Sequence, residues 1–233
     1  MMKVVVLTGA GMSAESGINT FRGAGGLWEG HDVMEVASPE GWRANTELVI
    51  DFYNQRRRQL HEVEPNKGHL ALQLLEEKFD VCIITQNVDD LHERAGSTDV
   101  LHLHGELLRV RSTVYPDSSR SWTRDLKLGD LCDRGAQLRP DIVWFGEDVP
   151  ALEEASVRVY DADIVIIIGT SMQVYPAAGL IGYAQEHCDV YYIDPSPTVN
   201  HELTIRSGLT IISETAGVGV PALVAKLLDH EDA

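Results

Sequence analysis

The stretch Val4-Val5-Val6-Leu7-Thr8-Gly9-Ala10-Gly11-Met12-Ser13-Ala14 decides the fold. Val4–Leu7 is apolar without polar alternation, which reads as a strand covered on both faces, as in a parallel sheet between helices. It runs into G-x-G-x-x-A ahead of a helix. Glycines there permit a tight turn and close backbone approach to a pyrophosphate, with helix-start N–H groups aimed at it. A dinucleotide is implied. Glycine-rich strand–helix turns that hold no ligand share this pattern, so it does not stand alone. An ordinary dehydrogenase would add a second strand ending in an acid about 20 residues on. The chain instead enters Gly23-Ala24-Gly25-Gly26-Leu27-Trp28.

Outward from this stretch, similar short runs recur at Val81–Thr85, Val100–Leu103, Ile142–Phe145, Ile164–Ile168, Val190–Ile193 and Leu209–Ile212. Helical stretches separate them, among them Pro176–His187 and Pro221–Asp229, each opened by a proline suited to a first helical turn. The alternation predicts an α/β class, a Rossmann-like doubly wound parallel sheet. Two segments interrupt it. Ala24–Lys78 shows no strand pattern and carries helices over Pro39–His61 and Asn66–Lys78, and Glu106–Pro140 is polar and irregular. Both read as insertions that build a smaller module. The expected division is a dinucleotide-binding domain from residues 1–22, 79–103 and 141–233, with the module from 23–78 and 104–140.

Lys and Arg number 19 against 36 Asp and Glu, a formal charge of −17. That field repels phosphate backbones and favours lysine-rich protein partners, so nucleic acid is not an expected ligand. Apolar strings such as Ile164–Ile168 fall far short of the roughly 20 residues a membrane span needs. Lys3 and Val4–Leu7 are too little for a secretory signal. Cys82, Cys132 and Cys188 are odd in number and widely spaced. They form no disulfide framework and no CxxC pair, and a reducing cytoplasm is expected.

Several motifs carry chemistry. Gln86-Asn87-Val88-Asp89 follows a buried strand, where amides and a carboxylate can bond ribose hydroxyls and a carboxamide, although Asn/Asp turns also occur there. His102 and His104, two apart, face the same way on a strand and suit a metal pair or a core position. Tyr53 and Arg56, three apart on a helix, offer a phenol beside a guanidinium fork, a receptor for a carboxylate or simply a solvated face. Phe145-Gly146-Glu147 ends a strand and can pair with an extended peptide. Gly169-Thr170-Ser171 offers N–H groups and hydroxyls after the most apolar strand, with Met172 and Val174 read as packing.

Together these motifs resemble, in order and over nearly the whole chain, those of the sirtuins, the NAD-dependent protein lysine deacylases. Gly9–Gly23, GAGMSAESGINTFRG, is similar to their signature; Gln86–Asp89, His104-Gly105-Glu106, Phe145–Glu147 and Gly169–Ser171 follow. The resemblance implies NAD as cofactor, acyl-lysine proteins as partners, a monomer, and nicotinamide, O-acyl-ADP-ribose and free lysine as products. It implies His104 as general base, with Asn87 positioning water or ribose. Gly9, Ala10, Gly11, Ser13, Ile18, Phe21, Arg22, Trp28, Gln86, Asp89, Gly169, Thr170 and Ser171 would contact NAD, Asp89 at the nicotinamide amide and Phe21 as a shield. Asp194, Ala216 and Tyr192 fall at adenosine positions, Tyr192 where many members have Asn. The branch that shares Ala37, Tyr53 and Arg56 implies a pocket for succinyl or malonyl groups with residual deacetylation, and Phe145, Gly146 and Glu147 would hold the peptide. Sirtuins usually bind structural zinc through two cysteine pairs in the segment of Glu106–Pro140. Here Cys132 stands alone, so no metal is expected.

Overall fold

The structure is a computed structural model and describes residues 1–19 and 27–230. Phe21 and Arg22 lie outside the described residues. Lys3–Thr8, Asp80–Thr85, Val100–His102, Ile164–Ile168, Asp189–Ile193 and Leu209–Ile212 form one parallel sheet. The first strand lies at its centre, with the second and third on one side and the fourth, fifth and sixth on the other. Lys3–Thr8 pairs with Ile164–Ile168 from Val4↔Ile164 to Thr8↔Ile168, so the winding reverses between them. Open sheets bind ligands outside the carboxyl ends of strands at such a switch point.

Side chains alternate across a strand, and here both faces are dry. Val5 and Leu7 join Val165 and Ile167 in a core closed by the helix Leu152–Tyr160 and the 3-10 segment Ala177–Tyr183. Val4 and Val6 join Ile164 and Ile166 under the helices Lys67–Leu75 and Ala216–His230. The missing polar alternation thus has its cause in two helical layers.

Three expected elements differ. Pro176–His187 is a shorter 3-10 segment. Pro221 lies inside the last helix, which starts five residues earlier at Ala216, after Thr215, whose carbonyl accepts Gly219 N–H. Pro39–His61 is two helices, Pro39–Ala44 and Thr46–Leu60, because Asn45 leaves the helical path and its side chain caps Leu48 N–H at 3.1 Å. Ser38 caps the first of them through Gly41 N–H.

A second, antiparallel sheet places Gly105–Ser112 between Arg120–Ser121 and Leu138–Ile142. The strand expected at Ile142–Phe145 in the parallel sheet is therefore Leu138–Ile142 in this one, paired Gly105↔Ile142. Beyond Ile142 the chain turns, with Val143 N–H bonded to His104 O and Glu147 N–H to Trp144 O. The segment read as irregular is ordered: Ile50, Val110, Leu126, Cys132 and Leu138 pack together. Arg57, 1% exposed, donates to Leu107 O and Asn54 Oδ1, and Asn54 holds both Leu126 N–H and Leu126 O. Ala24–Lys78 also contains a small pairing, Leu27–Trp28 with His31–Asp32, turned through Glu29 and Gly30 at positive φ.

Candidate active site

A cleft of about 910 Å³ opens at the carboxyl ends of the parallel strands, at the upper end of the usual size for small-ligand sites. Its floor is two glycine loops in contact. Gly9 N–H donates to Ile168 O, and Gly11 N–H to Gly169 O at 2.8 Å. A Cβ on Gly11 would stand 2.6 Å from Gly169 Cα; one on Gly169, whose φ is +59°, would stand 2.4 Å from Met12 N. Only glycine permits this approach.

Neighbouring elements brace the floor. Asn66 caps Lys67–Leu75 through Gly68 N–H, while its amide donates to Met12 O at 2.8 Å. The Glu15 carboxylate accepts Gly217 N–H at 2.6 Å, at the start of the last helix. Gln86 Nε2 donates to Thr170 Oγ1 and so ties the second motif to the third.

Asn87 donates to Gly9 O and to Ser13 Oγ, each at 3.1 Å, and Ser13 Oγ donates to Asp89 Oδ2 at 2.9 Å. Asp89 also receives Leu91 N–H. Burial pushes its carboxyl up, against the lowering effect of these two bonds. His104 Nδ1 lies 3.1 Å from Gln86 O. A carbonyl only accepts, so Nδ1 carries the proton and Nε2 keeps its lone pair. Burial holds the ring below the ordinary 6.5, with the Gln86 bond opposing, so it is neutral at pH 7. Beneath this layer, Thr8 and Thr85 hydroxyls bond at 2.8 Å, His92 Nε2 reaches Thr8 Oγ1, and the His69 and His92 rings sit 4.8 Å apart.

Of the residues singled out in the sequence, Gly9, Ala10, Gly11, Ser13, Ile18, Trp28, Ala37, Tyr53, Gln86, Asn87, Asp89, His104, Phe145, Gly146, Glu147, Gly169, Thr170, Ser171 and Asp194 line the cleft. Tyr192 does not. It is wholly buried in the sheet core, where its hydroxyl donates to Thr170 O at 2.7 Å, so it shapes the third motif from behind. Ala216 is buried in the opposite core, and its neighbour Thr215 faces the cleft. Val174, read as packing, lines the cleft, while Met172 is core.

The Glu147 side chain is also spoken for: Arg139 Nη1 at 2.6 Å, Arg111 Nη2 at 3.2 Å and Trp144 N–H at 2.8 Å. Phe145 N–H donates to Ala37 O, which leaves strand addition at this loop to Gly146 and the carbonyls. Trp144, missed in the sequence although it adjoins the motif, stacks under the Arg139 guanidinium at 3.3 Å and donates from Nε1 to Tyr53 OH at 2.9 Å. Glu15 and Asn19, inside the Gly9–Gly23 stretch but not singled out there, and Thr215, a single polar residue without a spacing signal, line the cleft too. Cys132 packs among apolar side chains, and no cluster of three or more His, Cys, Asp or Glu among the described residues could hold a metal.

A second cavity of about 50 Å³ adjoins the cleft. Tyr53 lines both, and Arg56 lines the smaller one with Glu29, Gln59, Val88 and Asp89.

Fold and floor together define a dinucleotide-binding α/β protein. Residues 9–176 match the model of the Sir2 family, and the chain belongs to that family. It is 58% identical over 229 residues to the NAD-dependent protein deacylase of Helicobacter pylori strain J99, covering 98% of this chain and 97% of that one. It is 52% identical over 234 residues to the enzyme of the same name from Bacteroides thetaiotaomicron, covering 98% and 99%. Among solved structures, a Sir2 homolog in complex with NAD superposes with a TM-score of 0.86 at 40% identity, covering 98% of this chain and 90% of the other.

Proposed function

We propose that this NAD-dependent protein deacylase removes acidic acyl groups, succinyl or malonyl, from lysine side chains and retains some deacetylation. One observation carries the reading: two unsatisfied donors share the small cavity. Tyr53 is fully buried and its oxygen accepts from Trp144, and among the described residues its own hydrogen goes to no acceptor. Burial keeps that phenol protonated. Arg56 Nε is buried without a partner, and its guanidinium lies 5.1 Å over the Phe52 ring with no carboxylate in ion-pair range among the described residues. Unpaired buried donors are costly, and a carboxylate satisfies both at once. Ala37, 4% exposed at the edge of the larger cleft, leaves room for the longer acid.

The cleft fits NAD. Glycines 9, 11 and 169 form a cradle that a Cβ would fill, and hydroxyl, amide and carboxylate groups stand around it. Gly9, Ala10 and Gly11 with Gly169, Thr170, Ser171 and Asp194 would hold the adenosine and phosphates. Ser13, Ile18, Trp28, Gln86, Asn87 and Asp89 would hold the nicotinamide riboside. When bound, NAD would supply an ADP-ribosyl group to the acyl oxygen, with nicotinamide as the leaving group. The substrate's own oxygen would then be the nucleophile, which asks none of the protein; Cys82, Cys132 and Cys188 are all buried. His104 Nε2, which keeps its lone pair, would take a proton from a ribose hydroxyl. Asn87 orients the hydroxyl or water through an amide fixed by Gly9 and Ser13. Asp89, held by Ser13 and Leu91 N–H, would receive the carboxamide. The overall charge of −17 favours lysine-rich protein segments.

The test is a comparison of acyl-lysine peptides. Arg56→Met and Tyr53→Phe should each lower kcat/KM for a succinyl peptide by about 10-fold to 100-fold, since a charge-assisted hydrogen bond contributes about 1.5–3 kcal/mol. Deacetylation should stay within about 3-fold, because acetyl leaves both donors unfilled. Unchanged desuccinylation in Arg56→Met shows the assignment to be wrong.

A further inference from the structure

His102 sits outside the cleft lining, yet it belongs to a continuous seam. Four successive carbonyls, starting with the last residue of the second parallel strand, accept hydrogen bonds from one segment. Thr85 O takes Leu103 N–H at 2.9 Å, Gln86 O takes His104 Nδ1 at 3.1 Å, Asn87 O takes His102 Nδ1 at 3.2 Å, and Val88 O takes Leu107 N–H at 2.8 Å. Where strand pairing stops, two imidazoles stand in for backbone donors. The two rings then differ. His104 turns its second nitrogen to the cleft, whereas His102 Nε2 meets the Glu93 carboxylate at 2.7 Å. Both partners of His102 are acceptors, so both of its nitrogens carry protons.

We propose that His102, backed by Glu93, is a positioning residue for the catalytic loop: it clamps the Asn87 carbonyl and so holds the Asn87 amide against Gly9 and Ser13. This rests on the role given to Asn87 above and on deacylation itself, not on the choice of acyl group. Asn87 is otherwise pinned by its own N–H to Thr85 Oγ1 and by its side-chain amide. Without the carbonyl bond the residue can rotate between those two fixed points, and small misplacements near reacting atoms cost rate rather than binding.

The clamp needs the doubly protonated ring. Burial alone would lower His102, but the Glu93 hydrogen bond and charge, with Glu106 adding, leave it raised. Asp89 also faces it favourably, and the neighbouring His92 is held uncharged by its burial. When pH rises through the His102 transition, one proton remains for two acceptors. The charged Glu93, the closer partner, keeps it, and the Nδ1 lone pair then faces Asn87 O.

The experiment measures kcat and KM for NAD across the neutral to alkaline range, with whichever of an acetyl- or succinyl-lysine peptide the wild type turns over faster. Three variants are compared: His102→Asn, which reaches the Nδ1 place, His102→Gln, which reaches the Nε2 place, and Glu93→Gln at the half-exposed carboxylate. His102→Gln should lose kcat on the order of 10-fold with KM for NAD unchanged. His102→Asn should restore most of kcat and abolish the alkaline fall. Glu93→Gln should move that fall about one pH unit lower. Equal losses in the Asn and Gln variants, no loss in Gln, or an alkaline limb that Glu93→Gln leaves in place each overturn the proposal. Should the histidine variants melt early, the Glu93→Gln profile alone decides. A wild type inactive on every acyl peptide would instead refute the deacylase reading.

Discussion

At the dinucleotide end of the cleft the backbone does the shaping, and at the end proposed to take the acyl group side chains do. Gly11 and Gly169 meet with nothing between them, and no residue larger than glycine fits either place. The acyl end is a relay of side chains: Arg111 and Arg139 hold Glu147, Arg139 stacks on Trp144, and Trp144 orients Tyr53. A backbone-built site has one shape and serves every substrate alike. A side-chain-built site can discriminate, because single groups can be changed without closing it. Changes at the first end should therefore affect all acyl groups together, and changes at the second should alter their ratio.

The largest effect is expected from Gly169→Ala. Its positive φ costs a residue with Cβ roughly 1–2 kcal/mol, and the overlap with Met12 N adds about 1–3 kcal/mol. Thermal unfolding should shift down by several degrees and NAD affinity should fall, with the acetyl-to-succinyl rate ratio unchanged. A changed ratio would break the division of labour between the two ends.

Trp144→Phe should act more mildly and at the other end. The ring packing against Arg139 and Trp42 is kept and the N–H to Tyr53 is lost, a loss of about 1 kcal/mol in stability. Freed from its partner, the Tyr53 hydroxyl can turn its hydrogen away from the cavity. KM for succinyl peptides should rise several-fold while acetyl peptides change little, which steady-state kinetics on both substrates would show.

Protonation gives the smallest effect and should not discriminate between acyl groups. His104 is lowered from 6.5, so its protonation costs turnover only on the acid side, as pH drops below that value, apart from the alkaline fall assigned to His102. Stability follows the same direction. Burial pushes His69 down to about 4, with Glu93 opposing, and lowers His92 through burial and the neighbouring His69 and His102. The unfolded chain takes up these protons near 6.5 and the folded rings resist, so stability is complete above 6.5 and declines as pH falls toward 4. A melting curve flat across that interval would contradict the buried neutral pair.

The same contrast explains what could be read in the sequence. The dinucleotide end lies in contiguous motifs whose glycines have one physical reason to be there, and the strands carrying them are apolar on both faces. The proposed acyl end is assembled from residues far apart in the chain, such as Tyr53 and Trp144; helical spacing paired Tyr53 with Arg56 but left a solvated face equally open, and Ala37 came only through the resemblance. Arg57 is buried although its neighbour Arg58 is exposed, because its partners Leu107 O and Asn54 come from fold contacts that no local pattern announces. The strand expected at Ile142–Phe145 meets the observed Leu138–Ile142 only at Ile142, because a short apolar string reveals neither whether it pairs nor which sheet it joins. Tyr192 occupies a position aligned with ligand contacts, but a phenol there finds a carbonyl partner inside the core.

The bond from Glu15 to Gly217 N–H couples the first glycine loop to a helix some two hundred positions later. Engineering at the carboxyl side of the chain is thus not remote from the cofactor. A truncation that removes the helix from Ala216 onward would undo a strut under the first loop, whereas a fusion joined past that helix leaves the strut in place.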